Sequence, residues 1–159
     1  MAWYYPNFQN DMWRIFGHMF FGDKLHFVDQ EHKTFRLEAL KAFLAETGVA
    51  IFDTGLRIRR TKNNASDKDL EIVEQADIDG LLRQLPECKG VLAAGQLATQ
   101  VFMQHFGIKQ MPKMGCFAEF TFEGRTLRLY RVPSSSRAYP MAVEKKATFY
   151  QKMFDDVLR

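Results

Sequence analysis

Three polar segments of the sequence carry side chains that could do chemistry. The first is Tyr4-Tyr5-Pro-Asn-Phe-Gln-Asn10, in which a pair of aromatic residues precedes an asparagine. An aromatic face can stack on a planar ligand, and an asparagine amide supplies both donors and an acceptor for a base edge or a water. The alternative is that the tyrosines are surface or core aromatics and that Asn10 only caps a helix.

The second segment is Val132-Pro-Ser-Ser-Ser-Arg137, in which three consecutive hydroxyl residues precede an arginine. Hydroxyls and backbone N–H groups in a tight loop suit phosphate oxygens, because they approach closely without bulk. The alternative is a polar turn that leads into the last helix of the chain.

The third segment is Gly48-Val-Ala-Ile-Phe-Asp53, an apolar run that ends in a carboxylate. The Asp53 carboxylate could accept from a base N–H or orient a water, or it could cap a turn. Basic residues that would meet phosphates follow, although a solvated charged loop is the usual explanation for such a run; they are Arg57, Arg59, Arg60 and Lys62.

Helices and strands alternate in the first half of the chain. Apolar spacing predicts one helix over 10–20 and a second that carries Leu37 to Leu44, with Thr34 as its N-cap and Gly48 at its end. The run Gly48 to Asp53 is typical of a buried strand, whereas most of 54–75 is polar and predicts a loop.

The second half of the chain repeats this alternation. The predicted elements are a helix over 77–85, a strand over Gly90–Ala94, a helix through Phe106 that Gly107 closes, a hairpin and a last helix over 141–158. The hairpin joins Phe117–Phe122 to Arg125–Val132 through a Glu-Gly turn. This order indicates one α/β domain over 1–159, with helices on both sides of a short, mostly parallel central sheet. Ligands gather at the carboxyl ends of such strands.

Composition limits the class of protein. The chain has 159 residues, 47% of them hydrophobic, which suits one compact domain. A net charge of +3 fits a polyanionic partner without requiring one. No apolar run approaches the roughly 20 residues of a membrane span, and the start of the chain does not resemble a signal peptide. Cys88 and Cys116 are expected to be reduced thiols in a cytoplasmic protein, and the histidines lack metal-ligand spacing, so no metal or cofactor is expected.

Together the three segments resemble the uracil-DNA glycosylase superfamily, most closely the mismatch-specific uracil/thymine-DNA and hypoxanthine-DNA glycosylases. The resemblance implies a three-layer α/β/α fold that flips a damaged base out of DNA. It implies that Tyr5 stacks on that base and that Asn10 and Asp53 are catalytic. The DNA backbone would be contacted by residues of the second and third segments, with the arginine of the second as the wedge in the vacated stack: Ser134, Ser135, Ser136, Arg137, Arg59 and Arg60. Where the superfamily often has a histidine or asparagine, this chain has Val132, and the thymine enzymes also have an apolar residue there.

In that superfamily a further strand precedes the Tyr-Tyr segment and lies centrally in the sheet. The sequence begins at Met1, immediately before this segment, so we expect the strand to be missing. Either the neighbouring strands close up or a second copy of the chain covers the exposed edge. We also expect weak or absent catalysis by the 159-residue product.

The function that the resemblance implies is DNA base-excision repair, by hydrolysis of the N-glycosidic bond of uracil, hypoxanthine or mismatched thymine. The enzyme would be monofunctional, because none of the three segments supplies a lysine amine for lyase chemistry. One alternative is a non-catalytic DNA-binding or damage-sensing relative. A third is an unrelated nucleotide-binding α/β domain.

Overall fold

The computed structural model describes residues 3–51, 55–60, 70–75 and 77–157, with 55–60 and 70–75 described through their backbone. Five helices lie in this part of the chain: α1 (Met12–Phe21), α2 (Leu37–Thr47), α3 (Ile78–Arg83), α4 (Gln96–Phe106) and α5 (Val143–Val157). Its seven strands are β1 (Val28–Asp29), β2 (Thr34–Phe35), β3 (Gly55–Arg60), β4 (Leu70–Gln75), β5 (Gly90–Ala94), β6 (Phe117–Phe122) and β7 (Arg125–Val132).

The central sheet has three strands in the order β5-β7-β6. Strand β5 runs parallel to β7, with Gly90 opposite Arg128 and Ala94 opposite Val132, whereas β6 is antiparallel to β7. The central sheet is therefore mixed, with one parallel and one antiparallel pairing, and β1 with β2 and β3 with β4 form separate antiparallel pairs. The α/β class is confirmed.

Helices cover both faces of this sheet because side chains alternate along β5. Val91 and Ala93 pack into a cluster with α3 and α4, and Leu92 and Ala94 pack against a cluster formed by α1, α2 and α5. The second cluster is rich in aromatic rings, such as Phe16 and Phe154 with centroids 5.5 Å apart. Edge-to-face pairs of this kind add to the stabilisation from burial.

Local signals define the hairpin and the ends of two helices. The turn between β6 and β7 places Glu123 at φ 47° and Gly124 at φ 80°, the left-handed pair that a two-residue hairpin turn needs. Gly48 and Gly107, which follow α2 and α4, also have positive φ. All five predicted helices are confirmed, and so are the strands Gly90–Ala94, Phe117–Phe122 and Arg125–Val132.

Three local predictions are wrong. Thr34 lies in β2, and α2 begins after Arg36 without a side-chain cap. Residues 48–51 are not a strand. Val49 and Ile51 are apolar because they pack against the aromatic cluster, and this packing does not involve strand pairing. The polar stretch 54–75 contains the hairpin of β3 and β4.

The register of β3 and β4 explains why this hairpin was missed. Through the backbone it sets Arg57 opposite Glu74 and Arg59 opposite Glu71. In the sequence alone the same charges are typical of a solvated loop. In the described part of the chain no helix is long and apolar enough to cross a membrane.

Arg125 joins the start of β7 to the end of α3. Its guanidinium donates to the carbonyls of Leu82 (3.0 Å), Leu85 (3.0 Å) and Pro86 (2.9 Å). We expect Arg125→Met to lower the free energy of unfolding by about 1–3 kcal/mol, because these carbonyls lose a charged donor. Urea denaturation followed by circular dichroism measures the change.

Arg83→Met is the matched control. Both guanidinium groups lie over the Phe122 ring, at 5.6 Å for Arg125 and 5.8 Å for Arg83, but Arg83 pairs with Glu123 at the surface. Loss of an exposed ion pair costs about 0–1 kcal/mol. Equal effects of the two substitutions would show that the carbonyl contacts of Arg125 contribute little.

Candidate functional site

Two of the three predicted segments meet in the structure. Residues Asn10 and Ser136 form an antiparallel β-bridge, and the Asp11 N–H donates to the Ser135 carbonyl at 2.7 Å. The start of α1 is therefore joined through the backbone to the serine loop, residues 133–137. Because Val132 is opposite Ala94 in the parallel pair, this loop leaves the sheet at the carboxyl end of those strands.

The serine loop is held from within and from α5. The Ser134 hydroxyl accepts from the Ser136 N–H at 3.1 Å, and the Ser136 hydroxyl accepts from the Ala138 N–H at 3.2 Å. The Tyr150 hydroxyl donates to the Pro133 carbonyl at 2.8 Å. Ser134 and Ser135 are buried, so the loop is a fixed part of the site.

A buried ion pair lies beneath this junction. Lys146 on α5 is 0% exposed, and its Nζ lies 3.3 Å from Asp11 Oδ2 and donates to the Ser136 carbonyl at 2.9 Å. Sequence reasoning missed both residues. The only local signal was an acidic residue just before an apolar helix, and nothing in the sequence linked it to a lysine 135 positions away.

Two arginines extend this cluster of charges. Arg14 donates to the carbonyls of Phe8 (2.8 Å) and Asn10 (3.1 Å), and its guanidinium lies 4.7 Å from the Phe8 ring centroid. The pKa of Arg14 is lowered, chiefly by burial and also by the nearby Arg137, and Asp11 opposes this shift only in part. Through its two hydrogen bonds Arg14 fixes the segment just before α1, which contains Asn10.

Arg137 lies at the surface next to this cluster. Its side chain is 48% exposed, donates to Gln9 Oε1 at 3.0 Å and lies 3.5 Å from Asp11 Oδ1. The exposed guanidinium is thus oriented by groups of the first predicted segment.

Tyr5 is positioned by the tryptophans of the N-terminal region. It has φ 49°, a conformation that is uncommon for a residue other than glycine. Its ring lies edge-on to Trp13 with centroids 6.1 Å apart, and the Trp13 indole N–H donates to the Tyr4 carbonyl at 3.1 Å. The half-buried Tyr5 ring is therefore held against the Trp13 ring.

One cavity of about 860 Å³ brings the predicted residues together. Tyr5, Asn10 and Ser134 to Ser136 line it, together with residues 47–51 and the whole of β5. Side chains of the first and second segments therefore line the same cavity. Asp53 lies outside the described residues, and Arg59 and Arg60 lie in β3, which is described through its backbone.

The Asn10 side chain has a structural role as well. Its Oδ1 accepts from the Met12 N–H at 2.9 Å in the first turn of α1. Asn10 Oδ1 thus accepts from the first turn of α1, as expected if Asn10 caps a helix. Asn10 nevertheless lines the cavity.

The histidines take part in packing and surface contacts. His26 stacks on Phe21 with centroids 3.7 Å apart, and His105 lies 2.7 Å from Asp79. Within the described ranges, no three His, Cys, Asp or Glu side chains come together in a way that could hold a metal ion.

No protein-family model, no curated protein and no solved structure matches the chain. The arguments for function therefore come from the residues and their geometry.

The ion pair of Asp11 and Lys146 gives a stability prediction. We expect Asp11→Ala to lower the free energy of unfolding by about 3–5 kcal/mol, because it leaves the buried Lys146 ammonium without a charged partner. We expect Lys146→Met to lower it by less, because Asp11 keeps Arg137 at 3.5 Å. The double variant is expected to lose less than the sum of the two. Urea denaturation of all four proteins completes the double-mutant cycle.

Lys24→Met, in the turn that follows α1, is the matched control. Lys24 pairs with Glu144 of α5 at 3.0 Å, and both side chains are 50% exposed. This substitution is expected to change stability by about 0–1 kcal/mol. Strict additivity of the Asp11 and Lys146 substitutions would show that the two groups do not interact.

Proposed function

We propose that this chain is a DNA base-excision glycosylase that hydrolyses the N-glycosidic bond of a deaminated base: uracil, hypoxanthine or mismatched thymine. The observation that carries the proposal is the shared cavity of Tyr5, Asn10 and the serine loop. These residues come from the two ends of the chain, and each has a chemistry suited to an extruded nucleotide. The resemblance to the uracil-DNA glycosylase superfamily supports the same reading.

In this proposal Tyr5 and Asn10 bind the extruded base. A flipped base has lost its stacking neighbours, and an aromatic face returns about 1–3 kcal/mol of that stacking. The Tyr5 ring is held by Trp13, so little side-chain freedom is lost when the base stacks on it. The Asn10 amide then reads the base edge or orients the attacking water, with Asp53 as the accompanying carboxylate.

The serine loop and Arg137 contact the DNA around the extruded nucleotide. The tight turns of the loop present hydroxyl and backbone N–H groups that can approach phosphate oxygens closely. The half-exposed Arg137 guanidinium, held by Gln9 and Asp11, fills the gap that the extruded nucleotide leaves. That contact partly offsets the cost of unstacking.

The reaction is a hydrolysis. The bond between the sugar carbon and the base nitrogen breaks and its electron pair leaves with the base. The water that Asn10 and Asp53 orient adds its oxygen to the sugar carbon, and its proton passes by way of the Asp53 carboxylate to the departing base. The products are the free base and an abasic site in an otherwise intact strand.

A non-catalytic, damage-sensing DNA-binding protein is the second candidate. Two observations favour it: Asn10 Oδ1 is already bonded to the Met12 N–H, and the cavity extends along all of β5, which leaves it wider than one base requires. Such a protein would bind the flipped base without breaking the bond.

Strand scission distinguishes the two candidates. Duplexes that contain uracil, hypoxanthine or a thymine–guanine mismatch are incubated with the protein, treated with alkali and separated on a denaturing gel. We expect weak cleavage at one of these bases and a further loss of about 100-fold or more in Asn10→Ala, the range for a group that positions a proton or a water.

Ser136→Ala serves as a comparison, because its hydroxyl bonds within the loop and is not assigned to bond breaking. It is expected to weaken binding more than it slows the chemical step. Salt-sensitive binding of DNA without any scission would exclude the glycosylase and favour the sensor. Absence of DNA binding at low salt would exclude both.

Arg137 gives a separate binding prediction. We expect Arg137→Ala to weaken binding to a damaged duplex by about tenfold and binding to an undamaged duplex by less, because only the flipped state needs the wedge. Arg83→Ala is the control, since Arg83 is comparably exposed, on α3. Gel-shift titration measures both, and equal losses in the two variants would contradict a role for Arg137.

A further inference from the structure

Arg14 is a buried guanidinium that uses part of its hydrogen-bonding capacity. Its side chain is 8% exposed, and its Nη1 donates to the carbonyls of Phe8 and Asn10. The rings of Phe8 and Phe35 lie 4.7 and 5.4 Å from the guanidinium carbon. A guanidinium also has N–H donors on Nε and Nη2, and within the described part of the chain these two atoms have no acceptor.

These remaining donors of Arg14 are open to solvent. No side-chain nitrogen or oxygen in the described ranges is both buried and without a hydrogen-bond partner, so Nε and Nη2 reach the surface. A ligand can therefore approach this edge of the guanidinium, while two carbonyls and two aromatic rings hold the group in place. An arginine that is already oriented loses little side-chain freedom when it binds a ligand.

Positive charge is in excess around this edge of Arg14. Arg137 Nη2 and Arg14 Nη1 lie 3.5 and 4.0 Å from the same oxygen of Asp11, Oδ1, so the two guanidinium groups are close together. The other oxygen of Asp11 lies 3.3 Å from the ammonium of the buried Lys146. Three cations thus share one carboxylate, and the pairing of Asp11 with Lys146 leaves the charge of the two arginines largely uncompensated.

The pKa of Arg14 is consistent with this imbalance. It is lowered first by burial and then by Arg137, and Asp11 raises it by less than these two effects lower it. An anion that contacts both guanidinium groups would offset their mutual repulsion.

We propose that Arg14 and Arg137 together bind a phosphate group, through the open edge of Arg14 and the exposed guanidinium of Arg137. Guanidinium groups match phosphate oxygens with paired N–H donors and form short, charge-assisted hydrogen bonds. The Arg137 side chain is 48% exposed, so the anion enters from its side. The phosphate is that of the DNA backbone beside the extruded nucleotide. This choice of source rests on the proposed function, whereas the anion site does not.

A phosphate at this site would set the position of the nucleotide relative to Asn10. Arg14 donates to the Asn10 carbonyl, and Arg137 is the last residue of the serine loop. Phosphate contacts fix the register and orientation of a protein on DNA. One phosphate held by both arginines therefore aligns the backbone with the two segments that line the cavity.

Titration with inorganic phosphate tests the anion site without DNA. The Nε–H resonances of Arg14 and Arg137 are followed by NMR, with sodium chloride keeping the ionic strength constant. We expect both resonances to shift in a saturable way as phosphate binds. Arg14→Lys and Arg137→Met are each expected to weaken phosphate binding by about tenfold, because each removes a charge-assisted contact. In each variant the remaining arginine is followed.

Arg128→Lys is the matched control. Arg128 also lies over an aromatic ring, Phe117 at 4.1 Å, but it has a carboxylate of its own, Asp156 at 3.9 Å. We expect phosphate binding at Arg14 to be unchanged in this variant. Thermal unfolding shows whether each protein folds. Should Arg14→Lys fail to fold, Arg137→Met still tests the site, because it removes an exposed side chain.

Methylphosphonate substitution tests the source of the phosphate. A neutral methylphosphonate replaces each phosphate around the damaged base in turn, and gel-shift titration measures binding of the duplex. We expect one position beside that base to weaken binding by about tenfold. At this position Arg14→Lys should cause no further loss, because the two changes remove the same contact.

Three results would overturn these assignments. Absence of a saturable shift of the arginine resonances up to about 0.1 M phosphate would exclude the anion site. Equal losses of phosphate binding in Arg14→Lys and Arg128→Lys would exclude Arg14 from it. Phosphate binding at Arg14 without a sensitive position in the duplex would exclude DNA as the source and indicate a free phosphate or nucleotide. Failure of the protein to bind any DNA, with phosphate still bound at Arg14, would exclude the glycosylase and leave the anion site in place.

Discussion

The ion pair between Asp11 and Lys146 is the interaction on which the candidate site depends. A fully buried ammonium group is tolerated only with a charged partner and further acceptors, and Lys146 obtains these from Asp11 and the Ser136 carbonyl. The same contacts fix the start of α1 and the serine loop on α5. The positions of Asn10 and of the serine hydroxyls are consequences of this one arrangement.

Strand β5 is the second element on which the candidate site depends. All five of its residues line the cavity, together with Tyr5, Asn10 and Ser134.

Local patterns predicted much of the fold. Apolar spacing identified the five helices, and the turn at Glu123 identified the hairpin, because each signal lies within a few residues. The parts that failed depend on distant partners. Residues 48–51 have the composition of a strand but no strand neighbour among the described residues, and β3 pairs with β4 through the backbone. For the site, the meeting of Asn10 with Ser136 followed from the resemblance, whereas Asp11 with Lys146 left no sequence signal.

The aromatic base under Tyr5 has an optical consequence. Trp3 and Trp13, the two tryptophans of the chain, are stacked with ring centroids 5.7 Å apart and planes inclined by 13°. Indoles so close and so nearly parallel couple their electronic transitions, and both report on the segment that carries Tyr5. Intrinsic emission from this protein is therefore a local signal of the N-terminal wall of the cavity, and the rest of the fold contributes no indole to it.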